Sequence, residues 1–457
     1  MSNNNNSDWL ADFNLLNEFI PDTDAEKKSN SFETEQKVSP VDPFEMEERN
    51  PFEEKKKLKA NGNNKNNKKS DSKMTLSSES SIKAVNKEPQ PSTKPEEGSV
   101  MAIEDRNDIK TKLKQLDAFS TYILDKEIDG LKEEYKTQIA TIIPKPDEIK
   151  TFLKFEGLRK NRNLTAPCYD HSRVTLKEEG IEDNYVNASY INTLDGKKRY
   201  ICSQAPLDNT VVDFWKMIIQ ENVEVIVMLC EFIEDKKKKC SEYIPLKIRS
   251  SICFDNMAVY LIKREIMEKD KNVVVNHLSV KKGKKELLIK HYTWKNWPKV
   301  GCPSVSSTSM YIYASIYKSK NPILVHCASG IRRSPIFIMI AMFMDCVNET
   351  KVENEILLKL AKHIRMARAG ALTSEIDYIY VARVLLQRFL DRKLIVPSQK
   401  MLEFFDDYDP ALKKAQKLEA ERITEMTIGP MPVLATNNKD KKNKKVAEVN
   451  QKLEKKK

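Results

Sequence analysis

An α/β domain with a twisted, mixed central sheet flanked by helices, set between polar tails, is the fold class this sequence predicts. Three observations predict it. Short strand-like runs, some alternating in hydropathy and some continuously apolar, are interspersed with helical runs through the middle of the chain. That middle is rich in Ile, Val, Leu, Phe and Trp, whereas both ends are polar and lysine-rich. One stretch, Ile323 to Pro335, reads as an apolar strand, a tight polar loop and the start of a long apolar helix. The 457 residues leave room for one core of about 280 residues between two tails.

Residues 1–105 form the first tail, rich in Asn, Lys, Glu and Ser and carrying the run NGNNKNNKK at Asn61 to Lys69. Such a composition buries too little apolar surface to offset chain entropy, so disorder is expected. Within it, Trp9, Phe13, Leu16 and Ile20 fall at helical spacing, suited to an amphipathic helix on a partner. Asp42-Pro43-Phe44 and Asn50-Pro51-Phe52 are turns presenting a phenylalanine. They look like the peptides read by endocytic adaptors; incidental turns are the alternative reading.

The folded domain is expected over 106–395. Leu113, Leu116, Phe119, Ile123 and Ile128 mark a helix, Pro144 and Pro146 interrupt it, and a second helix follows from Glu148. Strands are expected at RVTL, YVNASYI, RYICSQ, VEVIVML, CSEYIP, VYLIKREI and KELLIKHY, with a helix at Asp213 to Gln220. Lys236 to Lys239 and the group Lys281, Lys282, Lys284 and Lys285 read as solvated hairpin tips. Helices are expected at Pro335 to Val347, Glu353 to Ala367 and Ser374 to Leu390. Residues 396–457 form a basic, mostly disordered tail with one helix near Pro410 to Glu425.

Composition narrows the function. The net charge of +11 is moderate and compatible with anionic partners, but lysine runs in polar tails commonly serve to solvate them, so no nucleic-acid partner is expected. Eight cysteines lie at irregular spacings without a CxxC pair or a His/Cys cluster. That fits a reduced cytoplasmic protein with no metal and no organic cofactor. The N-terminus lacks a signal pattern, and no apolar run approaches the ~18 residues of a membrane span.

The loop after the strand carries the chemistry. Cys327 and Arg333 stand six positions apart, with Gly330 where the backbone must bend. The loop amides of Ala328, Ser329, Gly330, Ile331, Arg332 and Arg333, backed by a helix N-terminus, can cradle a phosphate. The same field favours the thiolate of a cysteine at the loop's start, a nucleophile near neutral pH. An arginine at the end offers a planar bidentate fork to phosphate oxygens.

In order along some 285 residues the chain resembles the protein tyrosine phosphatase domain. LRKNRN…YDHSRVTL resembles the phosphotyrosine loop; DNYVNASYI and YICSQAPLDNTVVDFWKMI resemble the next two blocks; VIVMLCE and KCSEYIP follow. HYTWKNWPKVGCPS resembles the mobile acid loop, HCASGIRRS the phosphate loop and ARAGALTSEIDYIY the glutamine loop. The resemblance implies a tyrosine-phosphatase-like fold and a cysteinyl-phosphate mechanism. Cys327 would be the nucleophile, Arg333 the phosphate clamp and Ser334 the hydroxyl that eases thiolate departure.

Set against that family, six positions around the loop depart. Trp-Pro-Asp, whose aspartic acid protonates the leaving phenolate, reads Trp297-Pro298-Lys299. An ammonium with an unperturbed pKa of about 10.4 is poorly suited to that task, though a cation over a phosphate would favour binding. Asn163 stands where an aromatic wall lines the phosphotyrosine slot, and Thr165 where an aspartate holds the substrate backbone. Thr373 and Asp377 replace the two glutamines that position the hydrolytic water, and Arg332, replacing a glycine, adds positive charge at the rim. Three readings are open. The first is a pseudophosphatase that binds phosphotyrosyl partners and regulates signalling without efficient turnover. The second is an active but slow phosphatase, and the third a scaffold acting through its tails.

Overall fold

In the computed structural model, the structure describes residues 97–155, 159–177 and 183–428. The candidate amphipathic segment near Trp9 and the Phe44 and Phe52 turns lie outside the described residues. Helix α1 (Glu97–Glu134) runs through a π-helical turn at Tyr135–Ile139 and is followed, after the prolines, by α2 (Lys150–Phe155). Then come β1 (Arg173–Thr175), β2 (Tyr185–Asn192), β3 (Lys198–Gln204), α3 (Val211–Gln220) and β4 (Val225–Met228). A small hairpin pairs β5 (Ile233–Glu234) with β6 (Lys237–Lys238). Four strands follow: β7 (Ser251–Phe254), β8 (Met257–Met267), β9 (Asp270–Lys282) and β10 (Lys285–Trp294). The remainder is α4 (Thr308–Ile316), β11 (Ile323–Cys327), α5 (Arg333–Asn348), α6 (Ile356–Ala367), α7 (Glu375–Asp391) and α8 (Gln399–Ile428).

Nine of these strands make one sheet in the order β1-β2-β3-β11-β4-β10-β9-β8-β7. The middle is parallel, β11 lying between β3 and β4 and β4 pairing in parallel with β10, while the flanks are antiparallel. Every residue of β11 is buried, which is why this strand reads as an unbroken apolar run rather than an alternating one. Helix α5 is buried along most of its length, and it carries the chain away from the end of β11. A central parallel strand feeding a buried helix puts the intervening loop at the carboxyl edge of the sheet, where crevices form in α/β folds.

Several elements differ from expectation: β7 and α4 fall in no expected run, and three others have a local cause. CSEYIP is not a strand: Cys240 and Ser241 give their amides to Phe232 and Pro206, and Pro245 has no amide to give. Strand β9 was not expected, because Asn276, His277 and Ser279 break its hydropathy pattern; it is held by β8 on one side and β10 on the other. Helix α8 begins at Gln399 rather than near Pro410 and continues through that proline. Met401, Phe404 and Tyr408, at helical spacing, are buried, and the Arg383 guanidinium of α7 lies 3.5 Å from the Phe405 ring centroid. Such burial outweighs the ~3 kcal/mol that an interior proline costs. Packed structure therefore runs on past residue 395.

Candidate active site

The loop from Cys327 to Arg333 is held from behind. Gly330 has φ 71°, a conformation glycine adopts without strain. A Cβ there would sit 2.4 Å from the carbonyl oxygen of Ser203. The Gly330 amide points to the Cys327 sulfur at 3.3 Å, and the Ala205 amide donates to the carbonyls of Cys327 and Ala328 at 2.8 and 3.0 Å. The fully buried Arg368 donates to the carbonyls of Gly330 and Ser329, both at 3.2 Å. Its Nη1 reaches Cys168 and Ser189, and the Nη2 that serves Ser329 also donates to the Asn187 side-chain oxygen. The Ile331 carbonyl accepts from Leu372 at 2.9 Å. With its carbonyls bound outward, the loop turns its remaining polar groups toward the pocket. Cys327 is buried, and the buried Ser334 hydroxyl at the start of α5 has no partner among the described residues.

Arg333 is fixed at both terminal nitrogens. They form a two-pronged pair with Glu234 of the β5–β6 hairpin at 2.5 and 3.0 Å, and they also donate to the carbonyls of Leu229 at 3.0 Å and Pro298 at 3.3 Å. These contacts leave Nε for a ligand. The bond to Pro298 draws the acid loop up to the phosphate loop. Lys299 is about half exposed, and its ammonium pairs with Asp235 of the same hairpin at 3.1 Å. Expected over a bound phosphate, this cation is instead committed to a carboxylate.

Two of the departures are halves of one ion pair. Arg332 Nε donates to Asp377 at 3.0 Å, and the Asp377 carboxylate is fully buried. The other Asp377 oxygen accepts from the Thr373 hydroxyl at 2.9 Å and the Ser374 amide at 3.1 Å. Arg332 also pairs with Glu419 of α8. Burial pulls the Arg332 pKa down, but the two carboxylates outweigh it and hold the guanidinium above its ordinary range. The charge expected free at the rim is thus matched from both sides. Thr373, Asp377 and Arg332, expected as separate departures, are joined in one network.

The phosphotyrosine-loop positions also join each other. The Asn163 side-chain oxygen accepts the Thr165 amide at 2.9 Å and its hydroxyl at 2.8 Å. The result is a short polar turn in place of an aromatic wall and a carboxylate. Its flank is firm: Asn161 accepts from Tyr185 and Asn187, and the Arg162 amide donates to Gln204 at 2.9 Å.

Beneath the loop, the Tyr243 hydroxyl lies 2.6 Å from His326 and 2.7 Å from His291. One hydroxyl proton serves one imidazole, so the hydroxyl donates to one ring and accepts from the other. Burial holds both histidines well below their usual range, at about 3. In the unfolded chain they titrate near 6.5, so the stability from neutral imidazoles is complete above that pH and is lost as pH falls toward 3. By pH 4.5 the loss is roughly 2–3 kcal/mol per histidine. Urea unfolding from pH 6.5 to 4.5 should show a steeper decline in wild type than in His291→Gln; equal slopes would refute the buried, neutral assignment.

Sequence reasoning did not single out Arg368, Glu234 or Glu419. Arg368 stands two residues before Gly370 in the glutamine-loop run, a position the motif contains but does not explain. Glu234 is hidden in a charged hairpin, and Glu419 lies far beyond the recognisable blocks. No metal-binding group of His, Cys, Asp and Glu occurs among the described residues, and none of their helices is long and apolar enough to cross a membrane.

Comparison with known proteins agrees with this geometry. Residues 157–387 match the family described as protein-tyrosine phosphatase. The tyrosine phosphatase-like protein J1 of Microplitis demolitor bracovirus is 31% identical over 250 residues, covering 51% of this chain and 82% of that protein. Tyrosine-protein phosphatase non-receptor type 9 of Rattus norvegicus is 29% identical over 309 residues, covering 62% of this chain but only 50% of that protein. The crystal structure of the catalytic domain of human protein tyrosine phosphatase non-receptor type 18 shares the fold, with a TM-score of 0.53 at 23% identity. It aligns over 60% of this chain and 100% of that domain.

Proposed function

The chain belongs to the protein tyrosine phosphatase family, and from that premise we propose that it binds phosphotyrosyl partners in the Cys327–Arg333 loop without turning them over efficiently. One observation carries the reading: the acid-loop position holds an ammonium, Lys299, paired with Asp235, while the Cys327 thiol is kept and Arg333, paired with Glu234, retains Nε for a ligand. In the family's first step the thiolate attacks phosphorus, an S–P bond forms, and the P–O bond breaks as the phenolate takes a proton. Without a positioned acid that proton is not supplied, a loss of roughly 10²–10⁴ in rate. In the second step water attacks phosphorus, giving its proton to the acid-loop carboxylate, and the S–P bond breaks to return the thiolate. The residues expected to position that water are replaced by Thr373 and Asp377, and Asp377 is taken up in the ion pair with Arg332. Binding needs neither proton transfer, so it survives both changes.

The test is a titration with a phosphotyrosyl peptide. Wild-type chain is expected to bind it and Arg333→Ala to weaken binding about 10- to 100-fold, the range of a charge-assisted contact. Turnover at ordinary enzyme rates, abolished by Cys327→Ser, would overturn the proposal. A slow phosphatase is the second reading, favoured by the unpartnered buried hydroxyl of Ser334. It predicts that an activated aryl phosphate is turned over far faster than the peptide, because a good leaving group needs no acid.

A further inference from the structure

We propose that the Arg332 guanidinium and the Gly301 amide form a second oxyanion site beside the phosphate loop, filled in this structure by the chain's own Glu419. One Glu419 oxygen pairs with Arg332, and the other accepts the Gly301 amide at 3.0 Å. A single carboxylate thus spans two loops, one bearing Cys327 and the other Lys299. Guanidinium and amide donors converging on two oxygens are the usual recognition pattern for carboxylate and phosphate.

The two acids on Arg332 are not equivalent. Asp377 is fully buried and tied to Thr373 and Ser374, so it stays. The Glu419 side chain is about one-third exposed (32%) and arrives on α8, a helix outside the matched residues 157–387. Arg332 holds two carboxylates for one positive charge, so an incoming anion must displace Glu419 rather than add to it. The helix sits flush on the loop, since a Cβ on Gly301 would lie 2.5 Å from the Gln416 side chain. Helix α8 is therefore an internal competitor, held at high effective concentration by the chain. The displacing group is a phosphate or carboxylate on an acidic phosphorylated ligand, and by linkage its binding loosens α8. That ligand class rests on the phosphate-binding reading; the site itself rests on the Glu419 contacts.

Calorimetric titration of the full chain with inorganic phosphate tests this, with succinate as a parallel arm that separates carboxylate from phosphate recognition. Glu419→Ala is expected to raise phosphate affinity about ten-fold. The gain should persist in Glu419→Ala/Arg333→Ala, where the main clamp is gone. It should vanish when Glu419→Ala is combined with Arg332→Gly/Asp377→Gln, a pair changed together so that no buried carboxylate is stranded. Unchanged affinity in Glu419→Ala overturns the second site, and if Arg333→Ala still abolishes binding, the phosphate-loop reading survives alone. A gain that persists without Arg333, in a chain whose wild type binds no phosphate, keeps the second site and removes the main-pocket reading. No phosphate binding by any form overturns both.

Discussion

Lys299→Asp is expected to convert the chain into one that releases dephosphorylated tyrosyl peptide from a phosphotyrosyl peptide in a burst and then stalls. The substitution returns a carboxylic acid to the acid loop, which Arg333 already draws in through the Pro298 carbonyl. Its new neighbour is Asp235, the present partner of Lys299. Two facing carboxylates raise one pKa, which favours the protonated form that an acid catalyst needs. The first step should accelerate roughly 10²–10⁴-fold. The second should not, because Asp377 and Thr373 are bonded to each other and Asp377 to Arg332. Rapid-quench kinetics should show about one equivalent of dephosphorylated peptide, with phosphorylated Cys327 in the intact mass. Adding Arg332→Gly, Thr373→Gln and Asp377→Gln should turn the burst into steady turnover. If Lys299→Asp gives no burst, the acid position is not the limiting defect, and the proposed cause of inefficiency fails.

Replacing Arg368 by Met should be the most damaging single change to the site, although the residue faces no ligand. The guanidinium is fully buried and makes five hydrogen bonds, two of them to the loop carbonyls of Ser329 and Gly330. Met keeps much of the volume and removes every donor. The cost is that of stranding buried carbonyls and the Asn187 oxygen, roughly 3–5 kcal/mol in total. Freed carbonyls would also let the loop amides turn from the pocket, so phosphate binding should be lost with the stability. Urea unfolding and phosphate titration of the same preparation check both. A stability within about 1 kcal/mol of wild type would show that the loop is held by Gly330 and the Ala205 amide without Arg368.

Much of this protein is legible in its sequence, for reasons that are local. The apolar run Ile323–Val325 followed by polar residues and a glycine marks a buried strand entering a loop, because a strand covered on both faces cannot alternate. Cys327, Gly330 and Arg333 are recognisable because their spacing is set by one loop. The change of Asp to Lys at 299 is visible for the same reason. What the sequence could not decide is where these charges go. Lys299 reads as a free cation, yet it meets Asp235 across a hairpin. Arg332 and Asp377 read as two separate departures, yet they are 45 positions apart in the chain and 3.0 Å apart in space. Glu419 lies in a stretch expected to be a tail, yet it reaches the rim of the phosphate loop.

The loop from Cys327 to Arg333 was therefore fixed by local chemistry: residue types and spacing determine a tight polar loop between a buried strand and a buried helix. Its electrostatic surroundings were decided only by folding. Ion pairs form between side chains with no sequence relation, and a 3.6-residue or two-residue period cannot encode a contact between distant elements. The tertiary structure alone joins the hairpin, the acid loop, α7 and α8 around that loop.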